Sequence, residues 1–140
     1  MPTITRTFIK TALAYALVGM LLSTLALIHT AVPLHPVLGV IRPTALHAIM
    51  VGWLTQLIFG VALWMFPVWS KAQPRGPELP TWLCYGLLNA GLAVRLLAEP
   101  LHSYRPSAVR GALLVIAAVL HVAAVLLFVG LAWRRVRAKH

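Results

Sequence analysis

Six side chains in this sequence are able to do chemistry within long apolar stretches: three imidazoles, one guanidinium and two amides. They are His29, His47, Gln56, Asn89, Arg95 and His121. Polar residues inside membrane segments are costly, so each of them is a candidate functional residue. No Asp or Glu is expected at depth among them, which argues against a proton pump or cation transporter. Neutral imidazole suits the binding of iron, copper or zinc and the axial ligation of haem iron.

His121 lies in the middle of the last apolar stretch, 11 residues after Arg110 and 13 residues before Arg134. Its neighbours on the same helical face are small residues: Ala117, Ala118 and Ala124. They leave space beside the imidazole, as a flat porphyrin requires. The alternative is that these small residues let two helices approach closely while His121 forms a hydrogen bond across the bundle. Both interpretations stay open for this residue.

His47 lies near the start of the second apolar stretch, five residues after Arg42, and is followed by Gly52 and Gly60. A cofactor or another helix can approach the backbone at a glycine because there is no Cβ. Arg42 would lie near the membrane surface, where it is placed to neutralise a haem propionate. The alternative is an interfacial histidine beside an arginine that reaches the lipid headgroups. For His29, at the end of the first stretch, an ordinary interfacial histidine is the stronger alternative.

Four apolar stretches must position these residues, and they cover residues 11–32, 44–69, 81–98 and 111–133. Each approaches or exceeds the roughly 20 residues that a helix needs to cross a bilayer. The breaks between them carry proline and charge, and proline ends a helix because it lacks an N–H donor. The sequence therefore predicts an all-α, four-helix membrane bundle that forms a single domain over residues 1–140. Short breaks favour an up-down-up-down arrangement.

The composition excludes several classes of protein. Of the 140 residues, 61% are apolar and 10% are charged, and the mean hydropathy is +0.89; soluble domains carry about 25% charged residues. The net charge of +10 lies in short breaks and not over a polar surface, so no nucleic-acid partner is expected. The single cysteine, Cys84, excludes an intrachain disulfide and any multi-cysteine metal motif. The sequence predicts an integral membrane protein in contact with lipid.

The distribution of basic residues predicts how the helices are oriented. Three arginines lie in breaks on one side of the membrane: Arg42, Arg105 and Arg110. Eight basic residues lie on the other: Arg6, Lys10, Lys71, Arg75, Arg134, Arg135, Arg137 and Lys139. By the positive-inside rule, both termini are expected in the cytoplasm, with the protein in a prokaryotic inner membrane. The C-terminal basic run from Arg134 to Lys139 is interpreted as an anchor that faces anionic lipid.

The segment from Arg42 through His47, Gly52, Gly60 and Phe66-Pro67 resembles the second transmembrane helix of haem–copper oxidase subunit I and of the nitric oxide reductase large subunit. With the following basic, proline-containing loop and helix it is also similar to NnrS-like haem and copper membrane proteins. The resemblance covers about 55 residues, to Leu97. It implies that His47 is an axial ligand of haem b. Four helices cannot hold the full set of oxidase cofactors, so it implies a minimal haem-binding unit.

The second axial ligand stays open at this stage. Helix order in the resembling families favours His121, whereas depth favours His29, because His47 and His121 differ by six residues when counted from their outer arginines. That difference corresponds to about 9 Å along a helix. A symmetric dimer that pairs two His47 side chains is a further alternative. Arg95 and Glu99 are spaced to pair along one helix, and Arg95 is a second candidate for binding a propionate.

Three functions follow from these residues. The leading hypothesis is a b-type cytochrome that acts in electron transfer or binds a diatomic gas, nitric oxide or oxygen. One alternative is a non-catalytic subunit of a larger respiratory complex. The other is a copper or zinc carrier that uses His29, His47 and His121. We expect a homo-oligomer, with a redox partner or a respiratory complex as further partners, and a stand-alone oxidase is not expected.

Overall fold

The fold is built from four long helices. A computed structural model describes residues 1–71, 74 and 76–136, and this part of the chain is helical and contains no strand. The helices are α1 (Thr3–Ala31), α2 (Arg42–Met65), α3 (Glu78–Tyr104) and α4 (Ala108–Val136). Each is long and apolar enough to span a membrane, so the chain is a multi-pass membrane protein. The prediction of an all-α protein with four candidate spans is confirmed.

The ends of the helices differ from the predicted stretches, and two differences have a clear cause. α2 ends at Met65 and not at residue 69, because Phe66 precedes Pro67 and adopts an extended conformation (φ −62°, ψ 151°). α3 does not end at residue 98 but continues through Pro100 to Tyr104. Glu99, one residue beyond the predicted stretch 81–98, therefore lies within α3 and is only 8% exposed.

Hydrogen bonds from α4 and from the chain itself meet the carbonyls at the end of α3. The backbone N–H of Arg105 donates to the Leu101 carbonyl at 2.9 Å, and the Arg110 guanidinium donates to the carbonyls of Leu101 and Arg105. Ser107 precedes α4, and its hydroxyl oxygen accepts from the backbone N–H of Arg110 at 3.3 Å, as an N-cap residue does. These bonds satisfy backbone groups that a helix end otherwise leaves unpaired.

The apolar core lies towards the end of the bundle that carries the N-terminus, residues 66–71, and the C-terminal part of α4. We call this the terminal end; the opposite end, with residues 32–41 and 105–107, is the loop end. All four helices contribute to the core: Phe8, Phe59, Leu63, Cys84, Leu88, Ala124 and Leu131. The rings of Phe59 and Phe128 stack with centroids 3.8 Å apart, which joins α2 to α4. Thr11 and Tyr85 share a hydrogen bond of 2.8 Å between α1 and α3.

α2 is α-helical at both ends but forms a π-helix over Ala48–Thr55. The hydroxyl of Thr55 donates to the carbonyl of Met50, five residues earlier. Gly52, in the centre of this segment, lies against the Tyr15 ring of α1, and a Cβ at Gly52 would lie 2.6 Å from Tyr15 Cγ. The wide turn and the glycine together let α1 and α2 pack closely directly below His47. Such π segments are frequent at functional sites.

Arg135 does not act as the exposed anchor that its basic run predicted. It is 4% exposed, and its guanidinium donates to the carbonyls of Leu63, Phe66 and Pro67 at 2.6–2.8 Å. These carbonyls belong to the end of α2 and the residues after it, where no further helical turn supplies donors. The cation also complements the negative end of the helix dipole. Three other predicted inner-side residues lie outside the described part of the chain: Arg75, Arg137 and Lys139.

Candidate functional site

The structure brings two predicted site residues, His47 and Arg95, together at the loop end, around the carboxylate of Glu99. His47 Nδ1 of α2 lies 3.0 Å from Glu99 Oε2 of α3, and Arg95 Nε lies 3.5 Å from Glu99 Oε1, one turn away on the same helix. The contact joins the first turns of α2 to the last turns of α3. The Glu99 side chain is 10% exposed, whereas the His47 side chain is 29% exposed. A buried carboxylate is thus held between an imidazole and a guanidinium.

The partners of His47 determine which ring nitrogen carries the proton. Nδ1 lies 2.8 Å from the carbonyl oxygen of Pro43 as well as 3.0 Å from Glu99. A carbonyl oxygen only accepts, so Nδ1 is the donor, and in the neutral imidazole Nε2 carries the lone pair. The pattern of a histidine held at one nitrogen by a carboxylate or carbonyl, with the other nitrogen free, is typical of metal ligands.

His121 differs from His47, because the backbone of α3 covers its Nε2 atom. Its Nε2 is buried and has no hydrogen-bond partner. A Cβ at Gly91 of α3 would lie 3.0 Å from this atom, so the imidazole packs directly on the α3 backbone. Gly91 lies one turn before Arg95 on α3, so the ring of His121 packs near the level of Arg95. A porphyrin ring does not fit between His121 Nε2 and Gly91 in this arrangement.

The other two predicted site residues lie away from His47. Arg42 is exposed and lines a groove between α1 and α2, whereas His47 faces α3. His29 Nδ1 accepts the backbone N–H of Leu34 at 3.1 Å, and its ring lies beside Gly39. His29 therefore holds the connection between α1 and α2, which is a structural role of the kind its interfacial position suggested.

Gln56 and Cys84 join neighbouring helices, whereas Asn89 bonds within its own helix. Gln56 is fully buried and donates to the Phe8 carbonyl of α1 at 3.4 Å, and Asn89 donates to the Tyr85 carbonyl within α3. Cys84 is buried and donates from its thiol to the Ala124 carbonyl of α4 at 3.3 Å. Cys84 is thus a packing residue between α3 and α4.

The sequence signal for Glu99 was incomplete. Its i, i+4 spacing from Arg95 predicted that pair, but the contact with His47 joins residues 52 positions apart and needs the packing of α2 on α3. His102, one turn further along α3, was also missed; its Nδ1 is buried without a partner.

In the described part of the chain, no group of three or more His, Cys, Asp or Glu side chains is placed to hold a metal ion. The His47 pair therefore offers one open nitrogen with a supporting carboxylate, which suits a cofactor that brings most of its own ligands. Haem is such a cofactor, since the porphyrin supplies four nitrogens and the protein supplies axial ligands. His47, Glu99 and Arg95 fit that requirement, and His121 does not in the observed packing.

Comparison with family models, with curated proteins and with solved structures finds no match for this chain. The resemblance of residues 42–97 to haem-binding membrane helices remains a prediction.

Proposed function

We propose that this protein binds one haem b at the loop end of the bundle and that His47 is its axial ligand. The observation that supports this most is the orientation of His47: Nδ1 is held by Pro43 and Glu99, and Nε2 remains available on a partly exposed side chain. Glu99 would keep the imidazole in the tautomer that binds iron. Arg95 lies beside Glu99 and would neutralise a propionate.

The geometry favours binding of a diatomic gas over electron transfer. Two histidine ligands fill both axial positions of haem iron, whereas one leaves a position for nitric oxide or oxygen. His121 is the other candidate ligand, but its Nε2 becomes accessible only if α4 separates from Gly91. In an electron-transfer protein, the sixth ligand of the haem iron would come from a second copy of the chain, for example from its His47.

The proposal includes a membrane setting. We place both termini in the cytoplasm, the helices in an up-down-up-down arrangement and the protein in a prokaryotic inner membrane, because more basic residues lie at the terminal end than at the loop end. Only 11% of the most apolar 18-residue segment of α4 is buried within the chain. This leaves a broad face of α4 that lipid, a second copy of the chain or a respiratory complex would cover. The alternative function, a non-catalytic subunit of a larger complex, depends on that face.

The test is the visible spectrum of the purified full-length protein after haem reconstitution, oxidised and dithionite-reduced, with and without carbon monoxide. We expect the reduced wild type to bind carbon monoxide, because one axial position is open. His47→Ala should lose the haem, since no other described histidine at the loop end has the same open nitrogen and carboxylate support. His29→Ala, which changes only the connection between α1 and α2, is the matched control.

Three other results would replace this proposal. If His121→Ala abolishes a six-coordinate low-spin spectrum, the protein has two histidine ligands and electron transfer becomes the function. If the wild type binds no haem but stoichiometric copper or zinc, the carrier alternative applies. If it binds neither and co-purifies with larger membrane proteins, the subunit alternative applies.

A further inference from the structure

A groove between α1 and α2 opens at the loop end, on a different side of α2 from His47. Its volume is about 270 Å³, and its lining residues are Ser23, Ala26, Leu27, Thr30, Arg42, Ala45 and Leu46. Ala26 and Ala45 form a closed floor, with 5% and 2% exposure, whereas Leu27 and Leu46 form exposed walls at 71% and 59%. The lining is thus mostly apolar, with the hydroxyls of Ser23 and Thr30 and one cation, Arg42.

Arg42 has no acidic partner among the residues that the structure describes. The sequence holds only two acidic residues, Glu78 and Glu99. Glu99 is engaged by His47 and Arg95, and Glu78 lies in the first turn of α3, at the terminal end. The counter-ion of Arg42 must therefore come from outside the chain. The other two arginines of the loop end differ, because Arg110 binds carbonyls and Arg105 lies over the ring of Tyr104, and neither lines the groove.

The position of the groove indicates the chemistry of its occupant. Arg42 begins α2, so its guanidinium lies at the level of the headgroups when α2 spans a bilayer. Ser23 lies seven residues before Thr30 on α1, about 10 Å deeper at 1.5 Å per residue. A phosphate on Arg42 at the mouth, a glycerol ester near Thr30 and an acyl chain between Leu27 and Leu46 match this order of cation, hydroxyl and apolar wall, with Ser23 at the deep end.

We propose that this groove binds one anionic phospholipid, with its phosphate on Arg42 and one acyl chain between Leu27 and Leu46. An anionic headgroup is favoured over a zwitterionic one because a zwitterionic lipid brings its own ammonium group close to the guanidinium. The site is independent of the proposed haem site, since it uses the other face of α2. It would hold α1 against α2 in the turns that precede the π segment.

The experiment is native mass spectrometry of the full-length protein in detergent, with phosphatidylglycerol and phosphatidylcholine of identical acyl chains added in equal amounts. We expect the wild type to retain one phosphatidylglycerol with about a fivefold preference, the size expected for one basic side chain at a membrane surface. Arg42→Gln should remove this preference. Arg105→Gln removes a charge from the same end without touching the groove and should keep it.

A second variant tests the apolar part of the site. Ser23→Leu fills the deep end of the groove without a change of charge, and it should reduce the retention of both lipids. Addition of glycerol 1-phosphate separates a lipid site from a phosphate site, because a soluble phosphate without acyl chains should not displace the bound phosphatidylglycerol.

The proposal is overturned if Arg42→Gln keeps the wild-type preference, or if Arg105→Gln loses as much as Arg42→Gln, which would indicate diffuse surface charge. It is also overturned if glycerol 1-phosphate displaces the lipid, since the groove would then be a site for free phosphate, or if Ser23→Leu leaves retention unchanged.

Discussion

At the scale of single residues, the pair of His47 and Glu99 is the feature on which the proposed function depends. The imidazole is held at Nδ1 by two acceptors, so its orientation is defined before any cofactor binds. Glu99 in turn is held by Arg95, which keeps the carboxylate directed at the imidazole. The His47 side chain therefore loses less conformational entropy when it binds a metal, as is typical of metal ligands held by supporting residues.

Glu99→Gln should therefore weaken haem binding although the proposed axial ligand, His47, is still present. The amide keeps the size of the side chain but loses the charge that stabilises the Nδ1–H tautomer, and loss of such a supporting group typically costs 10–100-fold in affinity. The measurement is a haem titration of the apoprotein followed by absorbance. Glu78→Gln removes the only other carboxylate, at the opposite end, and should bind haem as the wild type does. Equal affinities in both variants would contradict the role of Glu99.

At the scale of helices, the contact of Gly52 with Tyr15 sets the spacing of α1 and α2 within the π segment. A methyl group at Gly52 would lie 2.7 Å from Tyr15 Cβ and 2.8 Å from Leu92 Cδ2. Tyr15 Cβ is fixed to the α1 backbone, so relief of the overlap requires the helices to move apart. The same contact holds the turns that carry His47.

Gly52→Ala should destabilise the protein by about 1–3 kcal/mol, the usual cost of overpacking. Gly86→Ala is the matched control, because Gly86 is also helical but has no atom within 4 Å of an added Cβ. There the higher helix propensity of alanine should leave stability unchanged or raise it by up to about 1 kcal/mol. Thermal unfolding of both variants in one detergent measures the difference. A Gly52→Ala protein as stable as Gly86→Ala would show that α1 and α2 are not so closely packed.

At the scale of the whole molecule, charge and core are distributed unequally between the two ends of the bundle. The apolar core lies towards the terminal end, where Arg135 also closes the end of α2. The loop end carries the polar group around Glu99 and the groove at Arg42. The apolar core and the polar group around Glu99 thus lie at opposite ends of the bundle, so substitutions in one should leave the other largely intact.

The excess of basic residues at the terminal end predicts that this end faces the cytoplasm. Reporter fusions test the orientation: a fusion after Lys139 should be active only with a cytoplasmic reporter, and an insertion within residues 33–36 only with a periplasmic one. Cytoplasmic activity from the loop insertion would reverse the proposed orientation, and the proposed haem would then face the cytoplasm.

The sequence by itself determined the fold class, because hydrophobic runs of membrane length separated by proline and charge leave helices as the natural solution. It also identified the residues able to do chemistry, since a histidine or an arginine stands out in an apolar stretch whatever it packs against. His47 and Arg95 were found in this way, and both lie in the observed polar group.

Only the tertiary structure decided which of these residues meet. The contact of His47 with Glu99 depends on how α2 packs against α3, which periodicity within one helix does not specify. Arg135 changed from a predicted surface anchor to a buried cap because the carbonyls it binds lie 68–72 residues away in the chain. Likewise, α3 continues past Pro100 to Tyr104, whereas the predicted stretch ended at residue 98, and Arg110 of α4 donates to the Leu101 carbonyl near its end.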